Sequence, residues 1–524
     1  MYAWNAAWRA AALPELAAQD WDLIVVGGGI CGAGVLREAA RRGWKCLLLE
    51  QRDFAWGTSS RSSKMVHGGL RYIAKGQFGL TRASVRERQR LLAEAPGLVD
   101  PLSFVMPHRG GFPGPRVFGS LLAVYDALAG RRNHLYYPLQ QLRYLVPGLG
   151  EGGLQGGTRF FDAVTDDSRL VMRVLGEARA EGGEALNGMR VVDLKRDQGR
   201  VSGLEVEDLE SGQRFTFRAR AVALATGAWA DRLRAAQGTE HIRPLRGSHL
   251  LVPGWRLPLA HAISFMHPAD GRPVFVFPWE GATVIGTTDL DHGEGLDQDA
   301  RISETEVDYL LQACALQFPA AAIARADVLS TFAGVRPVVS NGDSQLKPSD
   351  EKREHVLWTE PGCVTLAGGK LTTFRLLALE VLHACAGFVG RTVDDGDGPV
   401  FPPVAAPALP ALSPAQHLRL VGRHGRAVAE LARWVERLGN ERVGATDTLW
   451  AELAWAAEGE LVLHLDDLML RRTRLGLLLP EGARGELPRV RALCQPLLGW
   501  DDARWAREES DYLALYRRCY SLPE

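Results

Sequence analysis

The sequence predicts an α/β fold: a sheet built from strand, glycine turn and helix, interrupted by an inserted mixed-sheet domain and followed by a small helical domain. Three observations carry this. The segment "WDLIVVGGGICGAGVLREAARRGWKCLLLEQRD" reads as strand, tight turn, amphipathic helix and second strand, one βαβ unit. Two later segments, "FRARAVALATGAWADRL" and "GCVTLAGGKLTTFRLLALEVLHA", repeat strand, turn and helix start as further parts of that sheet. Between and after these pieces the pattern changes to aromatic helices, alternating strands and finally nearly continuous helix.

Size and charge set the outer bounds. A chain of 524 residues exceeds what one core usually organises, and 46% hydrophobic content can fill two or three. With 61 Lys and Arg against 62 Asp and Glu, the net charge of -1 gives no global attraction to nucleic acid. The seven cysteines show no C-x-x-C and no metal-ligand spacing. This argues for a reducing, cytoplasmic compartment and against a disulfide framework or metal centre. The N-terminus lacks the apolar core of a signal peptide, and no uninterrupted apolar run is long enough to span a bilayer, so any membrane contact is expected to be monotopic.

The glycine turn is the most regular nucleotide signal. Gly27, Gly29 and Gly32 have the G-x-G-x-x-G spacing: sharp turn, close approach of a phosphate, and tight helix-to-strand packing. Glu50 ends the second strand about 18 residues further on, where an acid can accept hydrogen bonds from a ribose. Together they predict a Rossmann-like dinucleotide-binding domain. Cys31, inside the turn, reads as a small packed residue.

Residues from about Phe78 to Gly157 are helix-rich and aromatic, and "VFVFPWEGATVIGTTD" alternates as antiparallel strands around a turn. The expected organisation is a discontinuous dinucleotide domain over 20–87, 158–235 and 330–390, with a substrate or cap domain over 88–157 and 236–329. After the linker "DDGDGPVFPPVAAPALPALSP", residues 405–524 form a helical domain with no catalytic constellation, read as a partner or homodimer surface.

The ordered motifs "GGGICGAG", "LLLE", "TSSRSSKMVHGGLRY", "DDSRLVM", "ATGAWA", "GSHLLVP", "IGTTD", "AGVRP" and "AGGKLTTFR", with "HLDDLMLRRTRLGLLLP" near the end, resemble the flavin-dependent glycerol-3-phosphate dehydrogenases over nearly the whole chain. The resemblance implies a core of the amino-acid-oxidase type with non-covalent FAD. It further implies oxidation of glycerol 3-phosphate to dihydroxyacetone phosphate and electron delivery to a membrane quinone. A second glycine turn, Gly368, Gly369, Lys370, Leu371 and Thr372, suits a resident flavin, since it would close around the ring end of a cofactor that stays.

The residues can be weighed against that chemistry. A phosphate monoester needs more than one forked cation, and Arg71 in "GGLRY" and Arg336 in "AGVRP" sit in glycine-flanked turns that would allow close approach to a ligand. In the family the matching arginines contact the substrate phosphate or the reacting end, and Lys370 lies near the flavin. Removing hydride from carbon 2 also needs a base for the hydroxyl proton. His249 is the first candidate, because histidine titrates near neutrality and the matching family residue faces the substrate; His67 is the second. Thr288 and Asp289 end a strand where they can orient substrate or histidine, and Tyr72 can hydrogen-bond substrate or fill the core. Thr58, Ser59 and Ser60 follow the ribose acid and are placed to donate to pyrophosphate and ring edge.

Electrons then leave. "RVFGSLLAVYDALAGRR" puts Val117, Phe118, Leu121, Leu122, Tyr125 and Leu128 at helical spacing between arginines, as an interfacial helix at the inner face of the cell membrane would; "WNAAWRAAALPEL" is a second candidate. Two other functions fit parts of the sequence: a flavin oxidase of another 2-hydroxy acid or amine using oxygen, and a flavin-bound redox sensor. The paired arginines oppose the amine, and the proton-abstracting constellation opposes the sensor.

Overall fold

The computed structural model describes all residues except 1–3, 75, 112, 235–240, 341–354, 395, 397 and 524. Among the described residues, an eight-stranded sheet carries the glycine turn. The strand Asp20–Val26 pairs in parallel with Arg214–Leu224 on one side and Cys46–Leu49 on the other. Cys363–Ala367 and Glu184–Leu186 extend the sheet in parallel, and Val356–Glu360 closes one edge antiparallel. The central strands are apolar on both faces because both are covered: helices Ile30–Ala40, Asp167–Ala180 and Phe374–Val389 lie on one, and helix Ala6–Ala18 with strands Met189–Asp197 and Arg200–Asp208 on the other.

Helix Ile30–Ala40 follows the glycine turn and packs on helix Phe374–Val389, so closely that a Cβ at Gly34 would lie 2.8 Å from the Phe374 ring. The span Leu371–Val389 is long and apolar enough to cross a membrane, but most of it is buried in this core.

The second sheet has ten strands and is mixed: antiparallel pairs predominate, and Ala262–Met266 runs parallel to Val99–His108. Its site-bearing edge is His241–Pro253 against Ser330–Ser340, with Pro273–Trp279 and Ala282–Gly286 forming the hairpin read from alternation. Met65–Val66, Ser330–Ser340 and all but the first two residues of Gly156–Thr165 fall in the stretches that the sequence assigns to the dinucleotide domain, and they pair into this second sheet. Their hydrogen-bond partners lie far along the chain, which local pattern does not reveal.

Helix Ala6–Ala18, the second candidate for a membrane surface, is instead tied to the first domain. Trp4 is buried against Phe54, Leu13 and Leu16 are buried, and Arg9 pairs with Asp208 at 2.6 Å. The interfacial reading of Pro115–Ala129 also changes in part: Phe118, Leu122 and Tyr125 face inward. The Tyr125 hydroxyl donates to Asp162 at 2.6 Å and accepts from the Gly68 N–H at 2.9 Å. The helical domain begins at Pro414 and joins a shared apolar core with Phe332 and Trp279 of the second sheet.

Candidate active site

The glycine turn is shaped by its neighbours. Gly27 has φ 111°, and a Cβ there would lie 2.5 Å from the Ala225 carbonyl oxygen; a Cβ at Gly32 would run into the Gly27 carbonyl. Gly29 is different. Its φ of -80° suits any residue, and a Cβ would meet only Ser59 Oγ, at 3.1 Å. Of the three, Gly29 alone is hemmed by no backbone atom. Ser59 Oγ accepts from the Ile30 N–H at 3.0 Å, marking the helix N-terminus as a place where an oxygen is favoured.

Glu50 accepts from the Gly28 and Arg52 N–H groups at 2.6 and 2.8 Å, and burial pushes its carboxyl up despite those bonds. Cys31 packs near Gly369, with its thiol pushed up to about 12 by burial, as expected of an inert packed residue. Thr226, beside the turn, keeps a buried hydroxyl with no hydrogen-bond partner among the described residues. An orphaned donor beside an open glycine and a helix N-terminus fits a dinucleotide.

Thr58, Ser59 and Ser60 form one turn but separate in role. Thr58 Oγ1 donates to the Val335 carbonyl at 2.5 Å, and the buried Ser60 accepts through its carbonyl from Lys64 Nζ at 2.7 Å. Only Ser59 reaches the helix N-terminus. On the ring side, Gly368 and Gly369 have φ of 75° and 100°, and Thr372 Oγ1 exchanges hydrogen bonds with the His67 N–H and carbonyl, both 3.2 Å. His67 and Leu371 thus belong to one junction between the two sheets. Lys370 Nζ lies 3.4 Å from the centre of the Tyr72 ring, a close cation–π contact.

The glycines of "HGGLRY" and "AGVRP" serve packing, contrary to the expectation of ligand approach. A Cβ at Gly68 would strike the Tyr125 hydroxyl, one at Gly69 the Tyr72 ring, and one at Gly334 the Arg61 backbone. Arg71 lies in helix Leu70–Ala74, and its side chain falls outside the described residues.

His249 is 1% exposed and stacks on its cross-strand neighbour Phe332 at 4.4 Å. Its Nε2 lies 2.9 Å from Ser63 Oγ, and its buried Nδ1 has no hydrogen-bond partner among the described residues. Burial, then Arg336 and Lys64, hold its pKa well below the usual histidine value, so the resting ring is neutral. Arg336 reaches Asp289 Oδ1 at 3.1 Å and Thr287 Oγ1 at 3.3 Å. Asp289 also pairs with Arg272 at 3.1 Å.

Thr288, expected to meet substrate, is committed elsewhere: its hydroxyl donates to Glu306 at 2.7 Å and accepts from the Ser248 N–H at 2.9 Å. Thr287 takes its place beside Arg336. Sequence reasoning missed Thr287 and Ser63. Both sit inside quoted motifs, but runs of like hydroxyls do not reveal which one faces the site.

Fold and site define a dinucleotide-dependent oxidoreductase. A family model described as FAD dependent oxidoreductase matches residues 22–375, and one described as the C-terminal domain of alpha-glycerophosphate oxidase matches 365–505. Glycerol-3-phosphate dehydrogenase 2 of Mycobacterium tuberculosis is 33% identical over 530 residues, covering 97% of this chain and 90% of its own. The aerobic glycerol-3-phosphate dehydrogenase of Staphylococcus saprophyticus is 30% identical over 491 residues, covering 88% and 87%. The solved glycerol-3-phosphate dehydrogenase from Bacillus halodurans, complexed with FAD, superposes with a TM-score of 0.78 at 26% identity over 98% of both chains. The chain belongs to the FAD-dependent glycerol-3-phosphate dehydrogenase family, and FAD is its cofactor.

Proposed function

We propose that this chain oxidises sn-glycerol 3-phosphate at carbon 2 to dihydroxyacetone phosphate and passes the electrons to a quinone at the inner face of the cell membrane. The observation that carries the substrate reading is Arg336, 26% exposed, anchored by an Asp289 side chain with no exposure and sharing it with Arg272. A guanidinium fixed at a partly open position suits a phosphate, whose oxygens match its forked donors. Arg71, whose segment leads from His67, is assigned the second phosphate contact, and Tyr72 a substrate hydrogen bond.

In this reading non-covalent FAD, when bound, supplies the hydride acceptor. Gly29 and Ser59, in the turn shaped by Gly27 and Gly32, would hold its pyrophosphate, Glu50 its ribose, and His67 with Gly368 to Thr372 its ring; Thr58 and Ser60 would support that turn. Neutral His249 takes the proton of the carbon 2 hydroxyl. Lys370, fixed over Tyr72, stabilises negative charge at the reacting end. Asp289 and Thr288 act through Arg336 and through the His249 strand.

The membrane reading rests on the outer face of helix Pro115–Ala129. Val117, Ser120, Ala123, Val124 and Ala127 are exposed, with no exposed charge between Arg116 and Arg131. Val117 is 53% exposed. Through Tyr125 and Gly68 this helix is bonded to the segment that carries Arg71.

The test mixes oxidised protein anaerobically with glycerol 3-phosphate and follows the flavin spectrum. Rapid bleaching with glycerol 3-phosphate, and little with glycerol, is expected, because glycerol offers Arg336 and Arg71 no phosphate to bind. Bleaching by an amino acid, or by no polyol phosphate at all, would overturn the reading in favour of the amine oxidase or the sensor. Turnover with a vesicle-borne quinone against turnover with oxygen alone decides the acceptor.

A further inference from the structure

The motifs "DDSRLVM" and "RRTRLGLLLP" have no part in the chemistry above, yet they meet in a buried cluster of charges. Asp167 Oδ2 accepts from the Ser62 N–H and hydroxyl at 2.9 and 2.7 Å, and Lys64 Nζ donates to both carboxylate oxygens at 2.9 and 3.0 Å. Arg474 of the C-terminal domain bonds Asp167, Asp166 and the Ser60 carbonyl, and Arg423 of the same domain reaches Asp166 at 2.7 Å. Lys64 is fully buried with φ 59°, a left-handed conformation unusual outside glycine that persists only where surroundings over-determine it. Burial and Arg474 lower its pKa to about 7, and Asp167 opposes that shift.

Both supports of His249 are attached to this domain. Ser63, which holds Nε2, lies between Ser62 and Lys64. Phe332, on which the ring stacks, lies in a strand whose Ser330 hydroxyl donates to the Leu477 carbonyl at 2.7 Å, and whose Thr331 N–H donates to the Tyr520 carbonyl at 2.8 Å. Arg61, at the other end of the loop, bonds the Tyr520 hydroxyl and Asp299. Buried ion pairs add little net stability over apolar packing, so adhesion alone is a weak reason for such a cluster.

We propose that the C-terminal domain is a positioning element of the active site: Arg474 and Arg423, through Asp166 and Asp167, fix the Ser60–Lys64 loop so that Ser63 orients His249. The proposal rests on His249 acting as the base, which the flavin-reduction rate of His249→Ala checks separately. Ser63 and Arg474 are positioning residues in this scheme; neither touches substrate.

A double-mutant cycle on the anaerobic flavin-reduction rate of the full-length holoprotein tests it. Ser63→Ala is expected to lower the limiting rate about tenfold, with half-saturating glycerol 3-phosphate changed less than about twofold. Arg474→Lys, which keeps the charge and loses the fork, is expected to lower the limiting rate severalfold, and the double variant to match Ser63→Ala within about twofold. If Arg474→Lys loses its flavin, Arg423→Lys takes its place in the cycle. An unchanged rate in Ser63→Ala, or single-variant losses that simply multiply in the double variant, would overturn the proposal while leaving the substrate assignment standing.

Discussion

Asp289 Oδ1 lies 3.1 Å from Arg336 Nη1, joining a fully buried carboxylate to a guanidinium that is partly open to solvent. The same carboxylate holds Arg272. Asp289→Asn leaves two cations sharing a neutral amide, so Arg336 loses its fixed orientation. The expected outcome is a rise in half-saturating glycerol 3-phosphate of about tenfold, with a stability loss of about 1–3 kcal/mol, read by flavin-bleaching titration and thermal unfolding. An unchanged titration would remove Arg336 from the phosphate site.

His249→Ala should slow flavin reduction by about 10² to 10⁴ with substrate affinity nearly kept, the usual span for a general base. Stopped-flow bleaching over a substrate series separates the two effects. A small change would move the role to His67 or a carboxylate.

The depressed pKa of His249 also sets a sign for pH. In the unfolded chain the ring takes a proton below about pH 6.5, while the folded ring stays neutral to a lower pH. Its contribution to stability is therefore present above about 6.5 and is lost as pH falls toward the folded value. Denaturant unfolding between pH 7 and 5 should show a shallower decline in His249→Gln than in the wild type. Equal slopes would mean the ring is not held neutral.

Gly29 and Gly32 should respond differently to a methyl group. Gly32→Ala drives a Cβ into the Gly27 carbonyl and is expected to prevent folding, whereas Gly29→Val, at an ordinary φ, should fold and lose flavin. Flavin absorbance per folded protein checks this; full occupancy in Gly29→Val would sink the phosphate assignment.

The membrane face gives a paired test. Val117→Asp with Val124→Asp changes exposed side chains and should release the protein from anionic vesicles, leaving activity with a soluble acceptor intact. Phe118→Asp should instead destabilise by about 3 kcal/mol or more, because Phe118 is buried against Phe160. Undiminished vesicle binding by the double variant would remove this helix from the interface.

What the sequence by itself determined is what local physics decides. The strand, glycine turn and helix of residues 20–49, the acid Glu50 and the helical character after Pro414 follow from apolar period and from turn residues read within short windows. The ordered motifs were enough to name the family, and with it the cofactor. Tertiary structure decided everything that depends on partners distant in the chain. Strand Ser330–Ser340 joins the second sheet because His241–Pro253 offers it an edge, and Phe118 faces inward because Phe160 and His108 lie beneath it. The glycines beside Arg71 and Arg336 admit Tyr125 and Arg61, which no local window contains, and the Tyr72 ring, which folds back on Gly69. The seryl hydroxyl that meets His249 is chosen by a loop whose shape depends on Asp167 and Arg474, about 100 and 410 residues away, since hydrogen bonding selects by geometry and not by spacing in sequence.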